Sequence, residues 1–315
     1  MSVSVIVPLY NKRAYITRAL DSIAAQTFRD LEVIVVDDGS TDDSRQIAEA
    51  YPDNRFRVIS QPNQGPGAAR NTGIACAEGE IIAFLDADDE WLPNYLETNV
   101  KLLKQLGTDV ACVTSGYYEF PQNISAENLF RRRGLSEGVL NAEGLSPLQL
   151  QHSLAFMSSC STVTWKSVLT RFGGFFSASR CTYGEDAALL LKILLNEKVF
   201  FHFAPLARFH REASDLSDSR RRVRQIDPFL TDPTDVIAAC PERFKTLLKQ
   251  FLAIRASKTA AVLGYWGEWR EARSIRSRYV STGDWRLPYF IYGLVGSTPI
   301  AGLAGRVVRA FAALS

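Results

Sequence analysis

Over the first 113 positions, short apolar runs alternate with segments of helical periodicity. The β-branched stretches Val3–Val7, Glu32–Asp37, Arg57–Ser60, Ile81–Leu85 and Val110–Val113 predict strands. Between them, Ala14–Ala25 sets Ile16, Leu20 and Ile23 on one helical face, while Asp42–Ala50, Ala68–Ala77 and Asn94–Leu106 supply further helices. Strand, helix, strand in this order implies a mostly parallel sheet with helices on both faces, because parallel neighbours need crossover connections. Open sheets of this kind bind ligands beyond the carboxyl ends of their strands, so the chemistry is expected there.

The periodicity fades from Tyr117 to Leu154, a polar stretch that reads as a solvated loop, with Arg131, Arg132 and Arg133 either in water or against a phosphate or acceptor. From Cys160 it returns as the strand STVTW, a short helix, the turn RFGGF, the helix GEDAALLLKILL and the strand-like segments KVFFHF and PLARFH. A charged linker at about Arg211–Arg224 follows, and the remainder has a helical pattern. The reading is therefore a catalytic domain over 1–215 and a mainly helical extension over 216–315, with no internal repeat.

Composition narrows the classes. A net charge of +2 with 22% charged residues lacks the basic excess that a nucleic-acid partner requires. Cys76, Cys112, Cys160, Cys181 and Cys240 lie far apart without a CxxC pair, which suits scattered thiols in a reducing cytosol. No secretion signal is evident, and the uncharged stretch Leu287–Gly305, interrupted by Pro288 and Pro299, is not expected to span a bilayer.

Three strings carry candidate chemistry. VIVVDDGST ends in Asp37 and Asp38 at a strand's carboxyl end, where a carboxylate can accept from a base or ribose or can cap the following helix; Tyr10, after the first strand, could stack on a base. NQGPGAARN sets Gly65 and Gly67 before a helix with Arg70 one turn in, favourable for phosphate, although it does not complete the GxGxxG of a dinucleotide fold. IIAFLDADDE crowds Asp86, Asp88 and Asp89 at the ligand edge, a costly arrangement unless a cation neutralises it or water solvates it. Magnesium or manganese bridging to a diphosphate fits, and alternation along an extended backbone would put Asp86 and Asp88 on one side.

In order and spacing, VSVIVPLYN, VIVVDDGSTD, NQGPGAARNTG, AEGEIIAFLDADD, GGF and GEDAALLLK resemble the family-2 glycosyltransferases over about residues 2–215. The resemblance implies an α/β GT-A fold, Rossmann-like with a central mixed, mostly parallel sheet. It also implies metal-dependent, inverting transfer from a nucleotide diphosphate sugar, usually UDP-linked, to a saccharide or lipid-linked acceptor in surface glycan synthesis. It assigns Pro8, Tyr10, Asp38 and Arg70 to the nucleotide, Asp86 to ribose or metal, Asp88 to the Mn²⁺ or Mg²⁺ ion, and Asp89 to their surroundings. Asp186 becomes the general base and Glu185 its orienting neighbour, although both could simply cap a helix. Lys192 departs from the family's usual arginine, and His210 with Arg211 could meet the diphosphate or lie at the surface. Ser158 and Ser159 could line the acceptor side, while His152 and His202 receive no role.

Two rivals are weighed. A non-catalytic sugar-nucleotide-binding scaffold needs no base, and a nucleotidyltransferase needs a phosphate loop that PLYNK does not supply. In the extension, Trp285, Tyr289, Phe290 and Tyr292 before the basic amphipathic RVVRAFAAL suggest peripheral contact with a membrane, which would place a cytoplasmic enzyme at the inner face.

Overall fold

The computed structural model describes residues 2–213, 225–280, 294–299 and 301–302. It divides into two compact units, residues 1–143 with 152–215, and residues 144–151 with 216–315.

In the first unit, strand β1 (Val3–Leu9) leads through helix α1 (Ile16–Ala24) to β2 (Leu31–Asp37), and α2 (Ser44–Glu49) leads to β3 (Phe56–Ser60). Helix α3 (Pro66–Cys76), β4 (Ile81–Phe84), the short β5 (Glu90–Trp91) and α4 (Tyr95–Leu106) follow. These segments match the apolar runs read from the sequence. Val3, Val5, Ile6, Val7, Val33, Ile34, Val35, Ile81, Ile82 and Ala83 are all fully buried, as strands must be when helices cover both sheet faces.

The stretch Tyr117–Leu154, expected to be a solvated loop, is folded. It contains the end of β6 (Cys112–Phe120), β7 (Ile124–Ser125), α5 (Glu127–Arg132), β8 (Gly138–Leu140) and most of α6 (Pro147–Phe156). Arg131 is about half exposed, as expected of a solvated arginine, while its guanidinium lies 4.7 Å from the centre of the Phe203 ring and pairs with Glu127 at 2.8 Å. Aromatic contacts hold the stretch to the sheet: Phe156 meets Phe130, Phe201 and Phe203 at ring separations of 5.0, 4.9 and 5.1 Å. Widely spaced aromatics carry this part of the core, which is why apolar periodicity missed it.

Then come β9 (Thr162–Trp165), α7 (Lys166–Arg171), α8 (Glu185–Asn196) and β10 (Val199–His210), the last a single twelve-residue strand where two segments were expected. Among the described residues the sheet order is β3, β2, β1, β4, β9, β6, β10, β5, with β7 beside β6 and β8 beside β10. β1 runs parallel to β2 and β4, and β2 to β3. β9 runs antiparallel to both β4 and β6, which makes the sheet mixed. The registers bring Leu9 beside Asp37 and Ser60 beside Asp37, so three carboxyl ends finish level. Because β9 is reversed, the turn before it, Ser159–Ser161, arrives at the same edge.

In the second unit, α9 (Pro228–Thr231), α10 (Thr234–Ala239), α11 (Lys245–Trp266) and α12 (Trp269–Val280) are helical. Ala260, Leu263 and Ala272 form a buried cluster joined by Ile226, and Arg255 grips the buried Asp227 through two hydrogen bonds of 2.8 and 2.7 Å. Among the described residues no helix is long and apolar enough to cross a membrane. Trp285, Tyr289, Phe290, Tyr292 and the segment 306–314 lie outside the described residues, as does most of the linker expected over 211–224.

β6 and β10 pair in parallel with register shifts between His202, Pro205 and Ala207. Gly116 faces this irregularity, and a Cβ there would lie 2.4 Å from the Phe203 carbonyl oxygen. Backbone cannot swing aside as a side-chain tip can, so Gly116→Ala should destabilise the protein by about 1–3 kcal/mol. A urea titration would register this as a lower midpoint, and an unchanged midpoint would mean the strands part without cost.

Candidate active site

The edge where β1, β2 and β3 finish gathers the nucleotide-side candidates. Pro8 is half-buried in β1, and Tyr10 just beyond it is 46% exposed, with its ring open to a stacking partner. Asp38 is buried and already occupied: its carboxylate accepts from Gln61 Nε2 at 2.8 Å and from the backbone N–H groups of Gln64 and Gly65 at 2.9 and 2.8 Å. Gln61 Oε1 in turn accepts from Thr72 Oγ1 on α3 at 2.6 Å. Asp38 thus shapes the loop that launches α3, and a carboxylate retains lone pairs for a further donor.

Helix α3 starts at Pro66, a residue pre-set for a first helical turn, and delivers Arg70 into the interior. Arg70 Nη1 donates to Glu185 Oε1 and Nη2 to Asp86 Oδ1, each at 2.7 Å, while the guanidinium lies 5.2 Å from the centre of the Phe175 ring. Close approach of α3 to α8 depends on Gly67, where a Cβ would meet the Phe176 carbonyl oxygen at 2.1 Å. Asn71 adds a clamp, donating to the Phe175 carbonyl and accepting from the Phe175 N–H, both at 2.8 Å. α8 begins after Gly184 in the left-handed conformation and puts Glu185 and Asp186 in its first turn, where the helix dipole favours anions.

One guanidinium faces three carboxyl groups. Burial disfavours the charged arginine, but Asp86, Glu185 and Asp186 together raise its pKa above the ordinary value. Burial also works against Asp86, yet Arg70, Cys160 and Lys12 hold it below the usual range. The other two carboxyls are left short. Burial pushes Glu185 up to about 7 against the pull of Arg70, with Asp186 adding to the rise. Burial likewise raises Asp186, partly offset by Arg70 and by backbone hydrogen bonds from Ala187 and Ser159.

The acidic string does not run extended. After Phe84 the backbone turns, with the Asp89 N–H donating to the Asp86 carbonyl at 3.0 Å, so Asp86 and Asp88 do not share a side by strand alternation. Asp88 instead meets Lys12 Nζ at 2.6 Å, and Asp89 accepts from the His210 N–H at 2.8 Å. The ligand atoms of Asp86, Asp89 and Cys160 lie within 4.8 Å of one another. These residues fit a hard divalent ion: burial, and then the charges of Asp88 and Asp86, lift Asp89 well above the usual carboxylate range, which marks unmet negative charge. Burial, and then Asp86 and Asp89, push the Cys160 thiol up, so the carboxylates rather than the sulfur are the ligands of choice.

Two participants escaped the sequence reading. Cys160, counted there among scattered thiols, accepts from the Asp86 N–H at 3.3 Å because antiparallel β9 delivers it to the end of β4. Lys12 sits inside the YNK string but gave no signal until its loop was folded. His210 is neither a surface residue nor open to a ligand: it is 5% exposed, with Nδ1 2.7 Å from Glu212 and Nε2 3.3 Å from Glu90. Arg211 pairs with Glu119 at 2.6 Å. Ser159 is buried beside Asp186, and Ser158 Oγ accepts from the Cys160 N–H at 3.3 Å. Lys192 Nζ donates to the Phe172 carbonyl at 2.7 Å.

Residues 4–170 match the family model described as glycosyl transferase family 2. The chain is 48% identical over 108 residues to an uncharacterized glycosyltransferase of Nostoc sp., a match covering 33% of each protein. It spans about a third of the length of the first curated relatives it matches. Among solved structures it resembles Staphylococcus aureus TarS in complex with UDP, with a TM-score of 0.57 at 20% identity over 91% of this chain and 93% of that one. It also resembles a mannosyltransferase of Pyrobaculum calidifontis in complex with GDP-Man and Mn²⁺, with a TM-score of 0.60 at 22% identity over 97% and 86%. At these identities the likeness carries the GT-A fold, whereas the family model spans more than half of the sequence, and the chain belongs to glycosyl transferase family 2.

Proposed function

We propose that this chain moves a sugar from a nucleotide diphosphate sugar, UDP-linked in the first instance, to a hydroxyl of a saccharide or lipid-linked acceptor, inverting the anomeric configuration. The observation that carries the reading is Arg70, whose two 2.7 Å ion pairs join the acidic turn after β4 to the first turn of α8. Donor-side and acceptor-side groups thereby meet around one cation. The same-fold structures that hold UDP or GDP-Man support a donor of this class.

Pro8 and Tyr10 would flank the base, Asp38 would hold the Gln61–Gly65 loop and accept from the nucleoside, and Arg70 would face the diphosphate. A Mn²⁺ or Mg²⁺ ion held by Asp86 and Asp88, with Asp89 within reach, would supply charge neutralisation of the departing diphosphate. Asp186 would take the proton of the acceptor hydroxyl, a role for which a carboxyl pKa raised toward neutrality is suited. Glu185 would keep Arg70 in place. A lipid-linked acceptor would also give the aromatic and basic residues of 285–314 a purpose at the inner face of a membrane.

Incubating the purified protein with a panel of nucleotide sugars and Mn²⁺, and following release of nucleoside diphosphate, tests the reading. Asp186→Asn should lower kcat by about 10²–10⁴-fold with little change in donor KM. If no donor is turned over with any acceptor, the proposal fails.

The raised carboxyls also fix the sign of two pH effects. Activity should fall on acidification as Asp186 gains a proton. Stability responds to Glu185 in the opposite direction, because its pKa is about 7 in the folded chain against an ordinary 4.5. Between those values the folded chain keeps a proton that the unfolded chain releases, so this contribution is full at the acid end and lost as pH rises through about 7. Thermal melts of the metal-free protein should therefore show a flatter pH dependence in Glu185→Gln than in the parent over this window.

A further inference from the structure

Lys12 is fixed far more firmly than a surface lysine. Its Nζ lies 2.6 Å from Asp88 Oδ2 and donates to the Ala213 carbonyl at 3.0 Å. Its own backbone N–H donates to Ser44 Oγ at 2.7 Å. The preceding Asn11 takes a left-handed φ of 51° and accepts from the Thr41 N–H at 2.8 Å, tying the loop after β1 to the loop after β2. The ammonium also sits 5.8 Å from the Tyr15 ring centre. The lysine side chain is 23% exposed and the aspartate 12%, so water screens their attraction only in part.

Asp88 has Asp86 and Asp89 on either side of it in the same turn, and Lys12 is the cation its carboxylate touches among the described residues. An ammonium 2.6 Å from Asp88 Oδ2 already neutralises the charge a divalent ion would draw on, and, held on a loop anchored at both ends, it would repel a dication on the same carboxylate. We propose that Lys12 is the resident counter-ion of Asp88, with which a divalent cation must compete, so that this lysine sets how tightly the acidic turn takes up metal. The proposal rests on the reading of Asp88 as a metal ligand. It makes Lys12 a positioning residue that weakens metal uptake in the absence of donor, at the same time keeping the metal-free turn from repelling itself open.

The test is a titration of the full chain with Mn²⁺ alone, reading free Mn²⁺ by electron paramagnetic resonance, on the parent and on Lys12→Met, Lys12→Arg and Asp88→Asn. Lys12→Met should tighten Mn²⁺ binding about tenfold, and Lys12→Arg, which keeps the charge, should stay near the parent. In melts without metal, Lys12→Met should unfold at lower temperature than the parent and gain more from added Mn²⁺. Lys12→Gln gives the same comparison if Lys12→Met does not fold. Unchanged or weaker Mn²⁺ binding in the uncharged variants, with Asp88→Asn still impaired, overturns the role of Lys12 and leaves the metal reading intact. Parental binding by Asp88→Asn, or no binding by the parent and by the uncharged Lys12 variants alike, overturns the metal reading instead.

Discussion

The Arg70 guanidinium is the constraint around which the first unit is arranged. It bonds two carboxylates whose positions in the chain, 86 and 185, are far apart, and it is 3% exposed. Removing one partner and leaving the other charge buried costs about 3–5 kcal/mol, so loss of Asp86 or Glu185 would take away a large part of a domain's net stability. Neighbouring features serve the same approach. Gly67 removes the Cβ that would strike the Phe176 carbonyl, and Asn71 locks the backbone of Phe175, whose ring lies beside the guanidinium. Lysine could not replace this arginine, since two carboxylates at an angle need the fork of a planar guanidinium.

That arrangement leaves the site short of positive charge. Arg70 satisfies Asp86 and leaves Glu185 and Asp186 raised, and Lys12 contacts Asp88 while Asp89 stays well above the carboxylate range. Burial is the first cause in each raised group, and mutual repulsion compounds it. Fold stability alone would favour removing such carboxyls. Their presence at the ligand edge of the sheet is in keeping with the proposed cation and phosphorylated donor.

Much of the parallel half was legible because β1, β2 and β4 are nearly continuous apolar runs buried on both faces, and because glycines and aspartates follow their ends. The rest obeyed other rules. Tyr117–Leu154 packs through Tyr117 and Phe130 onto Phe156 just beyond it, aromatics too few and too far apart to produce a period. Alternation failed for Asp86 and Asp88 because β4 stops at Phe84 and a turn takes over. Cys160 and Lys12 reach the acidic turn through strand pairing and loop-to-loop hydrogen bonds, relations between distant segments that no local window contains. The Asp38 carboxylate was found correctly at a strand end, but its bonds to the Gln61–Gly65 loop became visible only once that loop was placed.

The two sides of the site differ in how they are held, and the difference follows from sheet topology. On the nucleotide side, three parallel strand ends finish level and their loops are cross-bonded, Asn11 to Thr41, Asp38 to Gly65 and Gln61 to Thr72, so each loop is fixed by its neighbour. On the other side the sheet reverses at β9, and Asp186 stands on one helix start, steadied by Ala187, by Ser159 of the turn before β9 and by the field of Arg70. A group positioned that way depends on the ion pair at its neighbour Glu185 for its place. Arg70 is therefore the link by which an event at the acidic turn can reach the residue proposed to handle the acceptor proton, because any shift of Asp86 is borne by the same guanidinium that fixes the first turn of α8.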